Sequence, residues 1–566
     1  MCGILGVVSK NNVSRFKTEF EIAIKNLSHR GPDHTSAVMF DNAMIGYTRL
    51  AIRGLNEKYN QPVVIKDGVY GFGNGEVYFR KNRFVLTDKI DLWNLFSDIV
   101  KGEENIFEVY DADFAICCYD SINKQLILGR DVWGVKPLYI SWIDKGTLVF
   151  ASEIAAILPF FKGTDSIGIN QETVRNYLLF GYPVSYQTFY DNIDMLEPGT
   201  VWEWNLNDNT NSNLWQASKI YGESDENIQQ QFEDALCSSV RSRSISDRNL
   251  GCHLSGGFDS SMLVYLLYGQ NVPIKCFNMY REQADADFLY AGRIEKELGI
   301  ELIRKRLRVP NDYIGLIKIL NSPIMSTGAF VPLQCAEIAK ENHITVMLEG
   351  QGADELLRGY SRFMDERIGD SRQIFDVLSN ADMGLLSLLF DKSEREINII
   401  REFYLNEIFK NNTKIPAYQE FYIKYFLHEL LRIEDHVNMA YSIENRVPYL
   451  SLEMRKLLYS GLLSPQKENL SCFHKAKNTL ISTRKKENLN PDMRKEIMAV
   501  KENYIDMISE NRIALDLDYA KLTDILVSNQ FMEMGKKEIF LLWFIYNLHL
   551  WCVYQGFDKK IFLLGE

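Results

Sequence analysis

A cysteine follows the initiator methionine, in the opening Met1-Cys2-Gly3-Ile4-Leu5-Gly6-Val7. Removal of Met1 puts a thiol and a free α-amine on one residue. An α-amine titrates at about 7.7–8.0, so a usable fraction is unprotonated at neutral pH. It can take the thiol proton directly or through a water, and nucleophile and base then arrive together. A second stretch suits different chemistry. Leu254-Ser255-Gly256-Gly257-Phe258-Asp259-Ser260-Ser261 follows an apolar lead-in and precedes Met262-Leu263-Val264-Tyr265-Leu266-Leu267. Its glycines let backbone approach a phosphate closely, and the N–H groups of a helix start point at the anion. The stretch has no lysine, and its spacing is not that of the Walker loop.

Elements must hold these groups in place. Residues 42–52, 68–78, 114–119 and 125–128 read as short strands separated by Gly and Asn turns, the pattern of stacked antiparallel sheets. Residues 15–27 carry apolar side chains at helical spacing. An Asn-rich polar stretch, 205–213, reads as a hairpin tip near a domain boundary. Beyond it, strands and helices alternate. The lead-in to Leu254 is a strand and a helix runs to about Gly269; 274–279 is a strand, 288–298 a helix and 345–348 a strand. This alternation predicts a parallel α/β sheet with ligands at the carboxyl ends of its strands. From about Asp370 the chain reads as mainly helical. Residues 540–551 are apolar almost all round, too short for a membrane anchor and suited to a buried terminal helix.

Further motifs carry a resemblance. They are His29-Arg30-Gly31-Pro32-Asp33, Arg49-Leu50-Ala51-Ile52, Gln61-Pro62, Asn74-Gly75-Glu76-Val77-Tyr78, Gly129-Arg130-Asp131, Lys136-Pro137-Leu138-Tyr139 and Ala151-Ser152-Glu153. With Cys2, their order resembles the glutaminase domain of class II glutamine amidotransferases, an N-terminal-nucleophile (Ntn-hydrolase) fold. The resemblance implies that Cys2 is the nucleophile. The side-chain amide of Asn74 and the backbone N–H of Gly75 would hold the tetrahedral oxyanion. The planar fork of Arg49 would pair with the glutamine α-carboxylate, with Leu50, Ile52 and Glu76 in the same pocket. Asp88 would hold the α-amine, although an ungapped match places Lys89 at that point. Taken singly, Asn74-Gly75 also reads as a hairpin turn and Arg49 as a surface ion pair.

The Ser-Gly-Gly-x-Asp-Ser-Ser string resembles the pyrophosphate loop of ATP pyrophosphatases. Glu349-Gly350-Gln351-Gly352-Ala353-Asp354-Glu355 precedes Gly359-Tyr360, and Arg432-Ile433-Glu434-Asp435-His436 leads to Met439-Ala440 and Glu444-Asn445-Arg446-Val447-Pro448-Tyr449. With the first set, these resemble the asparagine synthetase B family over nearly the whole chain. The resemblance implies ATP at Leu254, Ser255, Gly256, Gly257, Asp259, Ser260, Ser261, Met279, Glu349 and Gly350. It implies Mg²⁺ held by Asp259 and Asp354, two acidic groups suited to a hard cation that keeps phosphate oxygens and water. Lys477, in Lys477-Asn478-Thr479-Leu480, fits the family's active-site lysine better than Lys475. The usual Ser-Gly-Glu-Gly is here Glu349-Gly350-Gln351-Gly352, and the usual Pro-Phe-Leu-Asp is Pro448-Tyr449-Leu450-Ser451. Both changes fall where acceptor binding and amide formation are expected.

The implied architecture is a two-domain α+β and α/β chain. An Ntn-hydrolase glutaminase sandwich (2–212) precedes a parallel-sheet ATP-pyrophosphatase synthetase domain with a helical C-terminal part (225–566). A chain of 566 residues needs two or more cores. A net charge of −12 argues against a general nucleic-acid binder. The nine cysteines form no Cys-x-x-Cys pair, so a zinc site or disulfide scaffold is not expected. No signal core or long apolar span is evident, which makes the cytoplasm the expected compartment and membranes unexpected partners. The expected partners are small molecules (glutamine, ATP and an acceptor carboxylate), with a homodimer as a possible assembly. Two other functions fit less well. One is an amide-forming cyclase of the β-lactam synthetase or lasso-peptide type, whose relatives often lose the cysteine. The other is a silent glutamine or nucleotide sensor, which need not keep Cys2, Asp259 and Asp354.

Overall fold

The computed structural model describes residues 2–81, 92–102, 105–161, 167–217, 227–310, 312–370, 373–410, 415–461, 493–510 and 517–557. Its first half holds two antiparallel six-stranded sheets. One runs Asp194–Met195, Tyr139–Asp144, Thr147–Ala151, Cys2–Ser9, Ala43–Arg49, His34–Met39. The other runs Thr210–Gln216, Thr200–Asn205, Gln125–Arg130, Tyr110–Asp120, Val69–Arg80, Val63–Lys66.

Side-chain alternation along the strands builds the layers. Cys2, Ile4, Val8, Ile45 and Tyr47 face Phe72, Ala115, Cys117 and Leu128 of the other sheet in one buried cluster. Leu5 and Val7 point the opposite way, with Phe20 and Ala23 of the Lys17–Asn26 helix. The outer face of the second sheet is covered by Leu95, Phe96 and Ile99 of the Leu92–Lys101 helix. The result is a helix–sheet–sheet–helix stack; the strand pattern predicts its two stacked antiparallel sheets and the first helix, but not the Leu92–Lys101 helix. The expected strand 42–52 is Ala43–Arg49. Leu50 and Ile52 leave it to pack beside Trp133 and Val135 against apolar residues of the second half, so burial overrides local strand preference.

The second half is built on a five-stranded sheet, ordered Glu301–Arg306, Ile274–Tyr280, Leu250–His253, Val346–Leu348, Glu444–Arg446. Every pair in it is parallel. All five carboxyl ends therefore share one edge, where ligands of such sheets bind. The His428–Met439 helix crosses toward the first half and is buried along nearly its whole length. A single π turn, Tyr422–Leu427, leads into it.

The terminal helix Lys536–Gln555 is buried from Ile539 to Cys552 apart from Phe540. It packs on the first half through Phe544 on Tyr177 (ring centroids 5.1 Å apart) and Trp551 on Phe189 (5.5 Å). No helix among the described residues is long and apolar enough to cross a membrane.

Candidate active sites

Cys2 begins the central strand of the first sheet, in register with Arg49. It is buried, and its backbone N–H donates to Asn74 Oδ1 at 2.8 Å. That bond fixes the Asn74 amide and turns Nδ2 away from the backbone of Cys2. Asn74 Nδ2 is buried and has no partner among the described residues. A buried unpaired donor costs about 1–3 kcal/mol, so the position calls for an acceptor. An oxyanion formed at Cys2 would be one.

Asn74-Gly75 lies inside the Val69–Arg80 strand, so it is not a hairpin turn. Gly75 has φ +156°, and a Cβ there would fall 2.1 Å from the Asp113 carbonyl oxygen. Gln61 clamps the same strand one residue earlier, donating to Gly73 O at 3.0 Å and accepting from Gly73 N.

The Cys2 thiol lies 3.0 Å from the Tyr47 hydroxyl. Burial pushes the thiol above its ordinary value, while the positive charge of the chain terminus and the Tyr47 hydrogen bond oppose that shift. Tyr47 was not among the residues singled out from sequence. The strand alternation that puts Arg49 beside Cys2 also brings Tyr47 to that face.

Arg49 is not a surface ion pair. It is buried, and its guanidinium donates to Asn56 O at 3.0 Å, to Asn60 Oδ1 at 2.9 Å and to Gly54 O. All three acceptors are neutral, so the cation is free to attract a carboxylate. Glu76 lies 3.5 Å from Arg53 and 3.7 Å from Arg446, the latter at the carboxyl end of the last parallel strand. Asp88, Lys89, Lys475 and Lys477 lie outside the described residues.

The loop 255–257 lies between the central parallel strand and the Phe258–Gly269 helix, the strand–turn–helix order that the sequence predicts. Gly256 has φ +79°, and a Cβ there would fall 2.6 Å from Asp287 O, so only glycine fits. Ser255 Oγ and Ser260 Oγ are 2.9 Å apart, and Ser261 Oγ donates to Gly257 O at 2.6 Å. These bonds fold the loop onto the start of the Phe258–Gly269 helix. Gly350 abuts it, since a Cβ there would sit 3.3 Å from Ser260 N and 3.4 Å from the Asp259 Cβ. Met279, the penultimate residue of the neighbouring Ile274–Tyr280 strand, is fully buried. Asp259 is half-buried and Asp354, in the turn after Gly352, is 8% exposed. Among the described residues no group of three or more His, Cys, Asp or Glu forms a protein cage for a metal. Two carboxylates beside a phosphate loop fit a cation that takes its other ligands from phosphate and water.

The two sites face each other across the His428–Met439 helix. Arg30, fully buried, donates from Nε to Cys2 O at 3.2 Å and from Nη1 to Asp435 Oδ2 and Glu153 Oε1, both at 2.8 Å. Asp435 thus reaches the first site. Its neighbour Glu434 reaches the second, where burial and then the Glu349 carboxylate push it well above the usual range. Between them, Asn438 Oδ1, both amide atoms of Asn445 and Glu434 Oε2 are buried without hydrogen-bond partners among the described residues. Two more buried arginines cross between the halves. Arg243 pairs with Asp111 at 2.8 Å, and Arg446 binds Glu444 at 2.6 Å and nears Glu76.

Comparison with known proteins agrees with this layout. Residues 1–215 match the glutamine amidotransferase domain family, and residues 231–460 match the asparagine synthase family. Glutamine-hydrolyzing asparagine synthetase 1 of Bacillus subtilis is 25% identical over 512 residues, 80% of this chain and 79% of its own. The glutamine-hydrolyzing asparagine synthetase of Homo sapiens is 25% identical over 434 residues, 67% of this chain and 72% of its own. With both matched regions each carrying a structured site, the chain belongs to the asparagine synthetase B-like family as a divergent member.

Proposed function

We propose that this protein is a glutamine- and ATP-dependent amidotransferase. It adenylates an acceptor carboxylate, aspartate or a related acid, and converts it to an amide with ammonia from glutamine, giving AMP and pyrophosphate. The observation that carries the reading is the Cys2 N–H bond to Asn74 Oδ1, which leaves Nδ2 of the same amide as a buried donor without a partner among the described residues. A sensor has no need of it, and an enzyme using its substrate's own amine has no need of the thiol.

At the first site Cys2 attacks the glutamine side-chain carbonyl, with its own α-amine as base once Met1 is removed. Asn74 Nδ2 and Gly75 N–H receive the oxyanion. Arg49 holds the α-carboxylate among Leu50, Ile52 and Glu76, and Asp88 the α-amine. At the second site Ser255, Gly256, Gly257, Ser260 and Ser261 cradle the phosphates, while Leu254, Met279, Glu349 and Gly350 border the nucleotide. Asp259 and Asp354 would hold Mg²⁺, which supplies charge neutralisation at the phosphates. Lys477 adds a cation there. A carboxylate is a poor electrophile at neutral pH, hence the adenylation. Ammonia released at Cys2 passes inward along the unpaired polar atoms of Asn438 and Asn445, which keeps it from protonation in bulk water. We assign residues 2–212 to the glutaminase and 225–566 to the synthetase, in a cytoplasmic enzyme that can pair as a homodimer.

The test is a mass-spectrometric screen of carboxylates with ATP, Mg²⁺ and either glutamine or ammonia. One carboxylate is expected to gain an amide with stoichiometric AMP. Asn74→Ala is expected to lower glutamine hydrolysis about 10²–10³-fold, the size of one lost oxyanion donor, and to leave ammonia-dependent amidation unchanged. Glutamate production and pyrophosphate release, measured side by side, check both halves of that statement.

A further inference from the structure

The family's Ser-Gly-Glu-Gly turn has lost its carboxylate here, because Gln351 stands in place of the glutamate. A carboxylate reappears two residues earlier, at Glu349. Strand register explains what it meets. Cys252 pairs with Leu348 in the parallel sheet, so the next residues, His253 and Glu349, emerge side by side at the carboxyl edge. The ring Nδ1 of His253 lies 3.5 Å from Glu349 Oε2. Its Nε2 is buried and has no hydrogen-bond partner among the described residues. His253 precedes Ser255 of the phosphate loop by two residues, and Glu349 precedes Gly350, which abuts Ser260 and Asp259. The pair therefore stands beside the place where an acyl-adenylate would form. Glu434, whose Oε2 is buried without a hydrogen-bond partner among the described residues, closes the cluster from the His428–Met439 helix, on the side from which ammonia would arrive.

We infer that His253, oriented by Glu349, is the proton acceptor for the amide-forming step. The inference rests on the functional reading above. In that step the nitrogen lone pair forms the C–N bond to the acyl carbon. The C–O bond to AMP breaks, and AMP leaves with its electron pair. The nitrogen sheds one proton to His253 Nε2, which later passes it to solvent. Glu349, facing Nδ1, keeps Nε2 free as an acceptor and steadies the imidazolium that results. Adenylation itself transfers no such proton, so the two half-reactions depend on His253 differently.

That difference is the test. ATP–pyrophosphate exchange and amide formation from ammonia are measured on the full chain, with L-aspartate or the acceptor returned by the screen. His253→Asn is expected to keep exchange within about threefold of the parent and to lower amide formation about 10²–10⁴-fold, the usual worth of a placed base. Hydroxylamine, whose N–H is more acidic once attached, is expected to recover part of the lost rate. Glu349→Gln, which keeps shape and polarity, is expected to lower amide formation by a smaller factor, read against exchange in the same protein because Glu349 also borders the nucleotide; His253→Gln serves if the asparagine variant does not fold. Equal loss of exchange and amidation would reduce the pair to a structural role and overturn the inference. So would unchanged amidation in both variants. A parent protein inert in exchange with every carboxylate would instead overturn the functional reading, and the dyad with it.

Discussion

Replacing Cys2 by alanine is expected to abolish glutamine hydrolysis and glutamine-dependent amidation while ammonia still drives the amide product. Removing a catalytic nucleophile that acts as a unit with its base costs on the order of 10⁶ in turnover. The loss stays local. Cys2 Sγ touches Tyr47, whereas the link to the other site runs through the Cys2 backbone carbonyl and Arg30, which alanine preserves. Glutamate production should fall to background while pyrophosphate release with ammonia continues. Undiminished glutaminase activity in the variant would remove Cys2 from the chemistry.

The second large effect is expected at the phosphate loop. Asp259→Asn and Asp354→Asn should each cripple adenylation with either nitrogen source. The triphosphate brings several negative charges to one loop, and they must be neutralised before a carboxylate can approach the α-phosphorus. Losing several kcal/mol of that stabilisation corresponds to about 10²–10³-fold in rate. Both residues lie away from Cys2, so glutamine hydrolysis should survive apart from coupling between the sites. Normal pyrophosphate release from the Asp259→Asn protein would refute the cation role and the assignment of this loop to ATP.

Much of this layout was legible in the sequence because the chemistry restricts residue types. A φ of +79° at Gly256 admits essentially glycine alone, and Gly75 is pressed onto the Asp113 carbonyl. Such positions reveal themselves in one sequence. The two strand periodicities, antiparallel in the first half and alternating with helices in the second, likewise separate the sheets. Long-range partnerships were not legible. Arg30 and Asp435 are 405 residues apart, and each alone reads as an ordinary charged residue. His253 and Glu349 meet only because two strands distant in sequence lie in parallel register. Leu50 and Ile52 read as the end of a strand, and only the packing of the second half draws them out of it. Asp88, Lys89 and Lys477 rest on motif matching alone.

The arginines that cross between the halves bear on how this chain can be taken apart or recombined. Arg30 of the first half is shared between Glu153 of its own half and Asp435 of the second, Arg446 of the second between its own Glu444 and Glu76 of the first, and Arg243 of the second pairs with Asp111 of the first. Stripping one partner from a buried charge pair typically costs about 3–5 kcal/mol, and of the three arginines Arg243 is the one whose acidic partners, Asp111 and Asp113, both lie in the other half. A synthetase half expressed alone, or joined to a relative's first half that lacks those acids, would leave Arg243 unmatched, while Arg30 and Arg446 would each keep one acid. Separating or recombining the two halves is therefore expected to require that Asp111 and Arg243 travel together.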